Sequence, residues 1–265
     1  MPDQLMQTVI LGLIQGLAEW LPISSTAHLK IVEHFLGLAA TPLFNVALHT
    51  GTLVVVMLYF RKDVGDILVA LTHMDFRSEH GHLIPLIAVA TIPTAIIGLL
   101  YVVFLEDVLQ TMLAIGITLL VGATVVYVSK NGREETDVIT YRTALAVGMA
   151  QGLAVFPGLS RSGATVSTAL LLGLKREEAF RFSFLLSIPA ILGDLIVEIY
   201  RQHGQLSVQS MGSAELLAGV ATAMIVGYFA IELVSRMVKS RRFHYFSFYT
   251  WLLGTALIIL ALGGF

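Results

Sequence analysis

The hydrophobic positions of the chain fall into long apolar runs that are separated by short polar segments. Six runs approach the roughly 20 apolar residues that a membrane-spanning helix needs. They lie at 44–60, 83–104, 108–129, 179–200, 215–235 and 245–263. This pattern predicts an all-α integral membrane protein with six transmembrane helices.

Two further apolar stretches, 4–38 and 143–174, are interrupted near their middles by proline and polar residues, at LPISS and FPGLSRSG. Each interruption leaves two half-length apolar pieces, and we expect Pro22 to end the first of them. Irregular backbone at membrane depth is tolerated only where it is buried in protein or lines a wet cavity. We therefore predict that each stretch forms a re-entrant helix pair.

The two broken stretches are copies of one another. The letters QGLA begin at Gln15 and again at Gln151, and the same offset of 136 residues relates Ser24 to Ser160. This indicates one membrane domain made of two repeats, 1–136 and 137–265, each with a re-entrant pair and three spans. Because three is odd, the second repeat enters the membrane from the opposite side, which is the inverted-topology layout.

Composition and charge agree with a bilayer environment. Hydrophobic residues make up 56% of the chain and charged residues 13%, whereas soluble domains have about 25% charged residues. The net charge of −2 gives no reason to expect a nucleic-acid partner. The absence of cysteine excludes disulfides and thiolate metal sites.

The basic residues are distributed unevenly between the two sides that this topology defines. Of the 16 Lys and Arg residues, 13 fall in the segments 61–82, 130–142, 175–181 and 236–244, on one side. The other side has only Lys30 and Arg201. By the positive-inside rule we predict a multi-pass protein of the cell membrane with both termini outside.

The first broken stretch carries chemistry that is unusual inside a membrane. Gln15 and Glu19 lie four residues apart, on one face of a helix. Ser24 and Ser25 stand where the next half-helix starts, where backbone N–H groups are free to bind an anion. His28 follows at helical spacing, so it is expected to face the same pocket.

The second copy repeats the hydroxyls as Ser160, Ser162 and Thr165 but has Arg161 in place of Ser25. The planar guanidinium of arginine suits bidentate contacts to phosphate. Two half-helix N-termini, one arginine and several hydroxyls that meet at mid-membrane predict an oxyanion site, with phosphate as the favoured occupant.

The copies differ at two positions, since Glu19 and His28 correspond to Val155 and Ala164. A carboxylate beside an anion repels it unless a metal or a proton intervenes. Glu19 as a base or metal ligand, and His28 as a nucleophile or proton carrier, would serve phosphoryl transfer. A lone charged residue inside the membrane is also usually functional.

At this level of detail the motifs resemble a known family. QGLAEWLPISSTAH resembles the (E/Q)xxxE and PxSSTxH region, and PGLSRSGAT the PGxSRSxxT motif, of undecaprenyl-diphosphate phosphatases of the BacA/UppP type. FNVALHTGT and FSFLLSIPAILG extend the resemblance over essentially the whole chain. The resemblance implies a membrane enzyme that converts a polyprenyl diphosphate to the monophosphate, recycles the lipid carrier of cell-envelope glycan synthesis and confers bacitracin resistance.

The resemblance also implies a divalent cation, Mg²⁺ or Ca²⁺, and a set of site residues. The expected catalytic residues are Glu19, Ser25, His28 and Arg161. The expected phosphate-binding residues are Ser24, Thr26, Ser160, Ser162, Gly163 and Thr165. Glu19 and Gln15 are the expected metal ligands, and Gln15 stands where many relatives have Glu, so the metal site has one charge fewer.

Several alternatives stay open at this stage. Ser25, His28 or a water could attack the phosphorus, and a lipid flippase or anion transporter could use the same midplane site. Ser24, Ser160 and Ser162 could be helix caps alone, and His49 could serve packing or support the site. For Asp194 and Glu198, pairing or interfacial snorkelling is the default explanation. A homodimer is the assembly state left open.

Overall fold

The computed structural model describes residues 4–36, 41–201 and 212–263, and within them all regular elements are helical. The α-helices in chain order are α1 (Gln4–Ala18), α2 (Ser25–Leu36), α3 (Pro42–Tyr59), α4 (Arg61–Thr72), α5 (Leu83–Leu100), α6 (Glu106–Leu109), α7 (Met112–Val128), α8 (Tyr141–Leu153), α9 (Arg161–Leu171), α10 (Arg176–Arg201), α11 (Ser213–Lys239) and α12 (Phe246–Leu262). The expectation of an all-α membrane protein is therefore confirmed at this level.

Five helical segments of the described chain are long and apolar enough to cross a bilayer. They are Leu83–Leu109, Met112–Asn131, Arg176–Arg201, Ser213–Lys239 and Phe243–Leu262. The first of these joins α5 to α6 through a π-helical turn at Tyr101–Leu105. A sixth span is reached only if α3 and α4, which meet at an angle of 84°, are taken as one broken element.

Both interrupted stretches consist of two short helices with an irregular segment between them. In the first, α1 ends at Ala18 and α2 begins at Ser25, and in the second, α8 ends at Leu153 and α9 begins at Arg161. Pro22 was expected to end α1, but the helix stops four residues earlier. A proline ring clashes with the carbonyl group four residues before it, which here belongs to Ala18. Residues 37 and 38, at the end of the first stretch, lie outside the described residues.

Helix α4 was not predicted, because 61–82 was interpreted as a loop. Its apolar side chains recur at helical spacing among charged residues, and Ala70 is buried while Leu68 and Val69 are exposed. Such a short amphipathic pattern falls below the length that identifies a span, and Arg61 and Lys62 at its start give it a polar appearance.

Helix pairs approach closely through small residues. α1 packs against α11, α8 against α5, and α7 against α12. A Cβ atom built on Gly12 would lie 2.2 Å from the carbonyl oxygen of Gly219, and one built on Gly148 would lie 2.2 Å from that of Ala90. Lipid tails are as apolar as the side chains, so close van der Waals packing between small residues holds these pairs together.

Ion pairs connect the segments that carry most of the basic residues. Glu134 accepts a hydrogen bond from Arg176 at 3.0 Å and forms an ion pair with Arg241 at 2.6 Å. Arg181 pairs with Asp63 at 2.5 Å, which brings the start of α4 to the same end of the molecule. The hydrogen bond from Lys175 lowers the pKa of the Asp137 carboxyl in the neighbouring loop.

The opposite end has its own polar links. Lys30 donates to the side-chain oxygen of Gln110 at 2.9 Å, and Arg201 pairs with Glu106 at 2.8 Å. Ion pairs thus connect the segments with most of the basic residues, whereas Lys30 and Arg201 both bind residues of the segment 106–110.

Candidate active site

The Glu19 carboxylate is the centre of the site and joins the two broken stretches. Its side chain is only 3% exposed. Oε1 accepts a hydrogen bond from Nη2 of Arg161 at 2.8 Å. Oε2 accepts from the Ser25 hydroxyl at 2.9 Å and from Nε2 of Gln15 at 3.2 Å. Three predicted residues are therefore in direct contact with Glu19, and the buried charge is both paired and hydrogen-bonded, as burial requires.

The first break takes its shape from an unusual backbone conformation at Ser24. Its φ of 71° lies in the left-handed region that non-glycine residues seldom occupy. Such strain persists only where the surroundings enforce it and is common at functional sites. The Ser24 hydroxyl accepts weakly from the N–H of Ala27 at 3.4 Å, so Ser24 is an N-cap of α2.

The second break turns at Gly158 and is tied to the first. Gly158 has a φ of 98°, and a Cβ there would lie 2.6 Å from the carbonyl oxygen of Ile115, so glycine is required. Ser160 caps α9 by accepting from the N–H of Gly163 at 3.2 Å. The Ser160 hydroxyl also donates to the carbonyl oxygen of Leu21 at 3.3 Å, which links the two breaks directly.

Arg161 is the first residue of α9, and one nitrogen of its guanidinium group lacks a hydrogen-bond partner. Its Nη2 binds Glu19 and lies 3.8 Å from Oδ2 of Asp194. Its Nη1 is buried and has no hydrogen-bond partner in the described protein. A buried guanidinium N–H without a partner is unfavourable on its own and is suited to an anionic ligand that supplies the missing oxygen.

The hydrogen bonds of His28 define the tautomer of its neutral ring. Nδ1 lies 2.8 Å from the carbonyl oxygen of Ser24, which can only accept, so in the neutral imidazole Nδ1 carries the proton. Nε2 then has a lone pair, and it accepts from the Tyr249 hydroxyl at 2.7 Å. The two rings are also stacked, with centroids 5.7 Å apart.

The predicted phosphate-binding residues have different positions. Ser162 and Thr165 line a small cavity with Glu19 and Arg161, and α10 adds Ser183 and Ser187 to its wall. Ser25 and Thr26 line a second cavity, of about 240 Å³. The second cavity is open enough for the end of a charged ligand, whereas the first is nearly filled.

Some of the predicted anion donors are already used within the protein. The N–H of Gly163 is bonded to the Ser160 cap, and a Cβ at Gly163 would lie 3.1 Å from Val126 and 3.2 Å from Pro22. The Thr165 hydroxyl donates to the carbonyl oxygen of Arg161 at 2.9 Å. In this structure Gly163 permits close packing of the second break against the first.

Glu19 and its neighbours supply too few oxygen atoms to bind a hard divalent cation alone, but they can do so together with the oxygen atoms of a bound phosphate. Oε1 of Gln15 is buried beside Glu19 and has no hydrogen-bond partner, so an amide oxygen and a carboxylate lie next to each other. Among the described residues no three His, Cys, Asp or Glu side chains form a group that could hold a metal alone. Mg²⁺ is commonly bound by one or two protein oxygens together with substrate phosphates.

Two polar residues of this region were not predicted as part of the site. Tyr249 lies on α12, 221 residues after His28, and no motif surrounds it. Asp194 was given pairing as one default explanation, and its pairing partner is Arg161. His49 lines the second cavity with Asp194, although its Nδ1 is buried without a partner.

Known proteins resemble this chain over nearly its full length. The family described as "Bacitracin resistance protein BacA" matches residues 8–256. An undecaprenyl-diphosphatase of Korarchaeum cryptofilum is 38% identical over 97% of this chain and 99% of its own length. One of Methanosphaera stadtmanae is 38% identical over 97% and 98%, and undecaprenyl-diphosphatase 3 of Bacillus cereus is 39% identical over 96% of each chain. The motifs, the helical architecture and these matches agree, and the chain belongs to the BacA family of bacitracin resistance proteins.

Proposed function

We propose that this protein hydrolyses a polyprenyl diphosphate of the undecaprenyl type to the monophosphate and inorganic phosphate. The observation that carries the proposal is the buried Glu19–Arg161 pair with an unpartnered Nη1, which is a prepared place for a phosphate oxygen. The relatives named undecaprenyl-diphosphatase support the substrate class. Recycling of the lipid carrier for cell-envelope glycan synthesis, and bacitracin resistance, follow from this activity.

Arg161 and its neighbours bind and orient the diphosphate. Nη1 of Arg161 donates to an oxygen of the terminal phosphate, while Glu19 holds Nη2 and so fixes the plane of the guanidinium. Ser162, which lines the same small cavity, can add a hydroxyl donor by giving up its hydrogen bond to Ser160. Catalysis of phosphoryl transfer depends mainly on such positioning and on charge neutralisation.

The attacking group is His28, Ser25 or a water held by them. Nε2 of His28 has a lone pair once the Tyr249 hydroxyl releases it, and Ser25 already directs its hydroxyl proton at Glu19. In each case a bond to the terminal phosphorus forms as its bond to the bridging oxygen breaks, and polyprenyl monophosphate leaves. An acid-labile protein adduct would identify His28, an acid-stable adduct Ser25, and no adduct a water.

Glu19 and the free Oε1 of Gln15 would hold Mg²⁺ or Ca²⁺ together with diphosphate oxygens. A bound cation neutralises part of the charge on the diphosphate. It also compensates the repulsion between the Glu19 carboxylate and the substrate.

We further propose that the fold is an inverted repeat of six spans and two re-entrant pairs. The helix contacts support this arrangement, because α1 packs on α11 while its counterpart α8 packs on α5, the counterpart of α11. The equivalent helices α7 and α12 pack on each other. The ion pairs at one end of the molecule support a cytoplasmic side there, with both termini outside the cell membrane. A homodimer stays a prediction.

Release of inorganic phosphate from undecaprenyl diphosphate in detergent tests the proposed function. We expect Arg161→Lys to lower kcat/KM by about 100-fold, or roughly 3 kcal/mol of transition-state stabilisation, because lysine keeps the charge but loses the planar fork. Glu19→Ala and chelation with EDTA are expected to reduce release at least as strongly. Arg133→Lys is the matched control, since that side chain is 86% exposed in a loop.

If Arg161→Lys releases phosphate as fast as the parent protein does, the role assigned to Arg161 is contradicted. A parent protein that releases no phosphate in lipid-supplemented detergent would contradict hydrolysis itself. Polyprenyl phosphate movement across reconstituted vesicles without phosphate release would then support the flippase or transporter alternative.

A further inference from the structure

We propose that Asp194, on α10, is the general base that takes the proton from the water that completes hydrolysis. This inference rests on the proposed function, because every route of hydrolysis adds a water to phosphorus at some step. Asp194 belongs to neither broken stretch and stands outside both sequence motifs. Its place in the site follows from its 3.8 Å approach to Nη2 of Arg161.

The other candidate bases of the site are already engaged. Both oxygens of Glu19 accept hydrogen bonds, from Arg161 on one side and from Ser25 and Gln15 on the other. His28 uses Nδ1 to bind the Ser24 carbonyl group and Nε2 to accept from Tyr249. Three of the four lone pairs of the Glu19 carboxylate accept hydrogen bonds, and His28 must lose its bond from Tyr249 before Nε2 can accept a proton.

The cavity that Asp194 lines is also lined by Glu33, Glu198 and His49. The geometry of His49 makes it a poorer base than Asp194. It lines the same cavity as Asp194, but its unpartnered Nδ1 is buried. Asp194 differs in exposure, because its side chain is 56% exposed. No described residue donates a hydrogen bond to its carboxylate. Its lone pairs are therefore open to water.

The cavity brings that water next to the reacting phosphate. The walls of the roughly 240 Å³ space include Ser25 and Thr26 on α2 and Asp194 and Glu198 on α10. Since a water needs about 30 Å³, the cavity has room for several. Arg161 itself lines the smaller cavity, but Asp194 lines the larger one and lies 3.8 Å from Nη2 of Arg161. For a phosphate bound to Arg161 on the side of Asp194, one water could contact both the phosphorus and the Asp194 carboxylate, as a general base requires.

The hydrolytic step forms one bond to phosphorus, breaks another and transfers one proton. The oxygen of the water forms a bond to phosphorus as the bond from phosphorus to its leaving group breaks. The leaving group is the bridging oxygen of the substrate in direct hydrolysis, or the enzyme side chain if it was phosphorylated first. The proton of the water passes to the Asp194 carboxylate, and the leaving group keeps the bonding electron pair.

Asp194→Asn tests this role, because it removes the basic carboxylate and keeps the size of the side chain. Removing a general base reduces rates by about 100-fold or more. We therefore expect kcat for phosphate release to fall by about 100-fold. The inhibition constant of a non-hydrolysable methylene-bridged analogue of the substrate should change by less than about threefold, since Arg161 remains held by Glu19. Size-exclusion profiles in detergent verify that the variant is folded.

Glu198→Gln is the matched control. Glu198 lies one turn further along α10 and lines the same cavity, so the substitution removes an equal charge from the same space. We expect its kcat to stay within about threefold of the parent value. This control separates a base at position 194 from a general electrostatic effect of the cavity.

Three results would overturn the inference. They are a kcat of Asp194→Asn within about threefold of the parent, an inhibition constant that weakens in proportion to kcat, and an equal loss in Glu198→Gln. A proportional weakening would show that Asp194 only positions Arg161. Because the parent is assayed in parallel, absence of phosphate release by the parent would refute the proposed function itself, and this inference with it.

Discussion

At the scale of single residues, the site is defined by which atoms still lack a partner. Arg161 has its Nη2 bound to Glu19 and its Nη1 without a partner, and Gln15 has its Nε2 bound to Glu19 and its Oε1 without one. In each of these two side chains, the nitrogen that binds Glu19 fixes the position of the neighbouring atom that lacks a partner. The result is a free N–H donor and a free amide oxygen next to one carboxylate, which suit the phosphate and the cation that we propose.

The Tyr249 hydroxyl fixes the orientation of the His28 ring. We expect Tyr249→Phe to keep the ring stacking but to lower kcat/KM by about fivefold, because one net hydrogen bond is worth about 1 kcal/mol. Phosphate release measures the effect, with Tyr245→Phe as the control, since Tyr245 is exposed on the preceding turn and contacts His244 instead. An increase in activity would instead show that Tyr249 restrains Nε2 of His28.

Sequence patterns identified the residues that carry a motif and missed those that contribute by tertiary packing. Glu19, Ser25 and Arg161 were predicted from residue type and spacing, and the structure brings them together. The contact of His28 with Tyr249 depends on α12 lying beside α2, where Ala27 packs with Leu257. The internal repeat relates equivalent positions in the two halves, but it does not say which residues of different helices touch.

At the scale of helices, apolar length predicted the spans and local backbone chemistry set their ends. The predicted span at 179–200 corresponds to α10, which extends from Arg176 to Arg201. Helix α1 ends at Ala18 because the ring of Pro22 clashes with the carbonyl group four residues before it. Helix α4 was not predicted because charged residues are mixed with its apolar ones and it has only 12 residues, so neither hydropathy nor length distinguished it from a loop.

The α1–α11 contact leaves no room for a methyl group at Gly12. A Cβ there would lie 2.2 Å from the carbonyl oxygen of Gly219, so the two helices must move apart. We expect Gly12→Ala to destabilise the protein by about 2 kcal/mol, the usual effect of overpacking. Thermal unfolding in detergent measures it as a lower Tm. Gly193→Ala serves as the control, since α10 has open space around Gly193 and alanine is the better helix former, so we expect no loss of stability there. An equal loss in Gly193→Ala would contradict close approach as the cause.

At the scale of the whole molecule, each half of the chain completes the other. The Glu19 carboxylate of the first half is paired by Arg161 of the second, and the Ser160 cap of the second half binds the Leu21 carbonyl group of the first. Neither half could satisfy these buried polar groups alone. The asymmetry between the copies, with Glu19 and His28 in one and Arg161 in the other, therefore concentrates opposite charges at their shared boundary.

The proposed topology predicts which ends of the molecule face the outside of the cell. Because the chain has no cysteine, single cysteines can be introduced without background labelling. Asp107→Cys, at the end that contains Lys30 and Arg201, should react with a membrane-impermeant maleimide on intact cells. Glu135→Cys, whose native side chain is 65% exposed among the basic loops, should react only after the membrane is opened. If position 135 reacts on intact cells and position 107 only after the membrane is opened, the orientation is the reverse of the proposed one. If both positions react on intact cells, the inverted repeat is ruled out, because it places an odd number of spans between them.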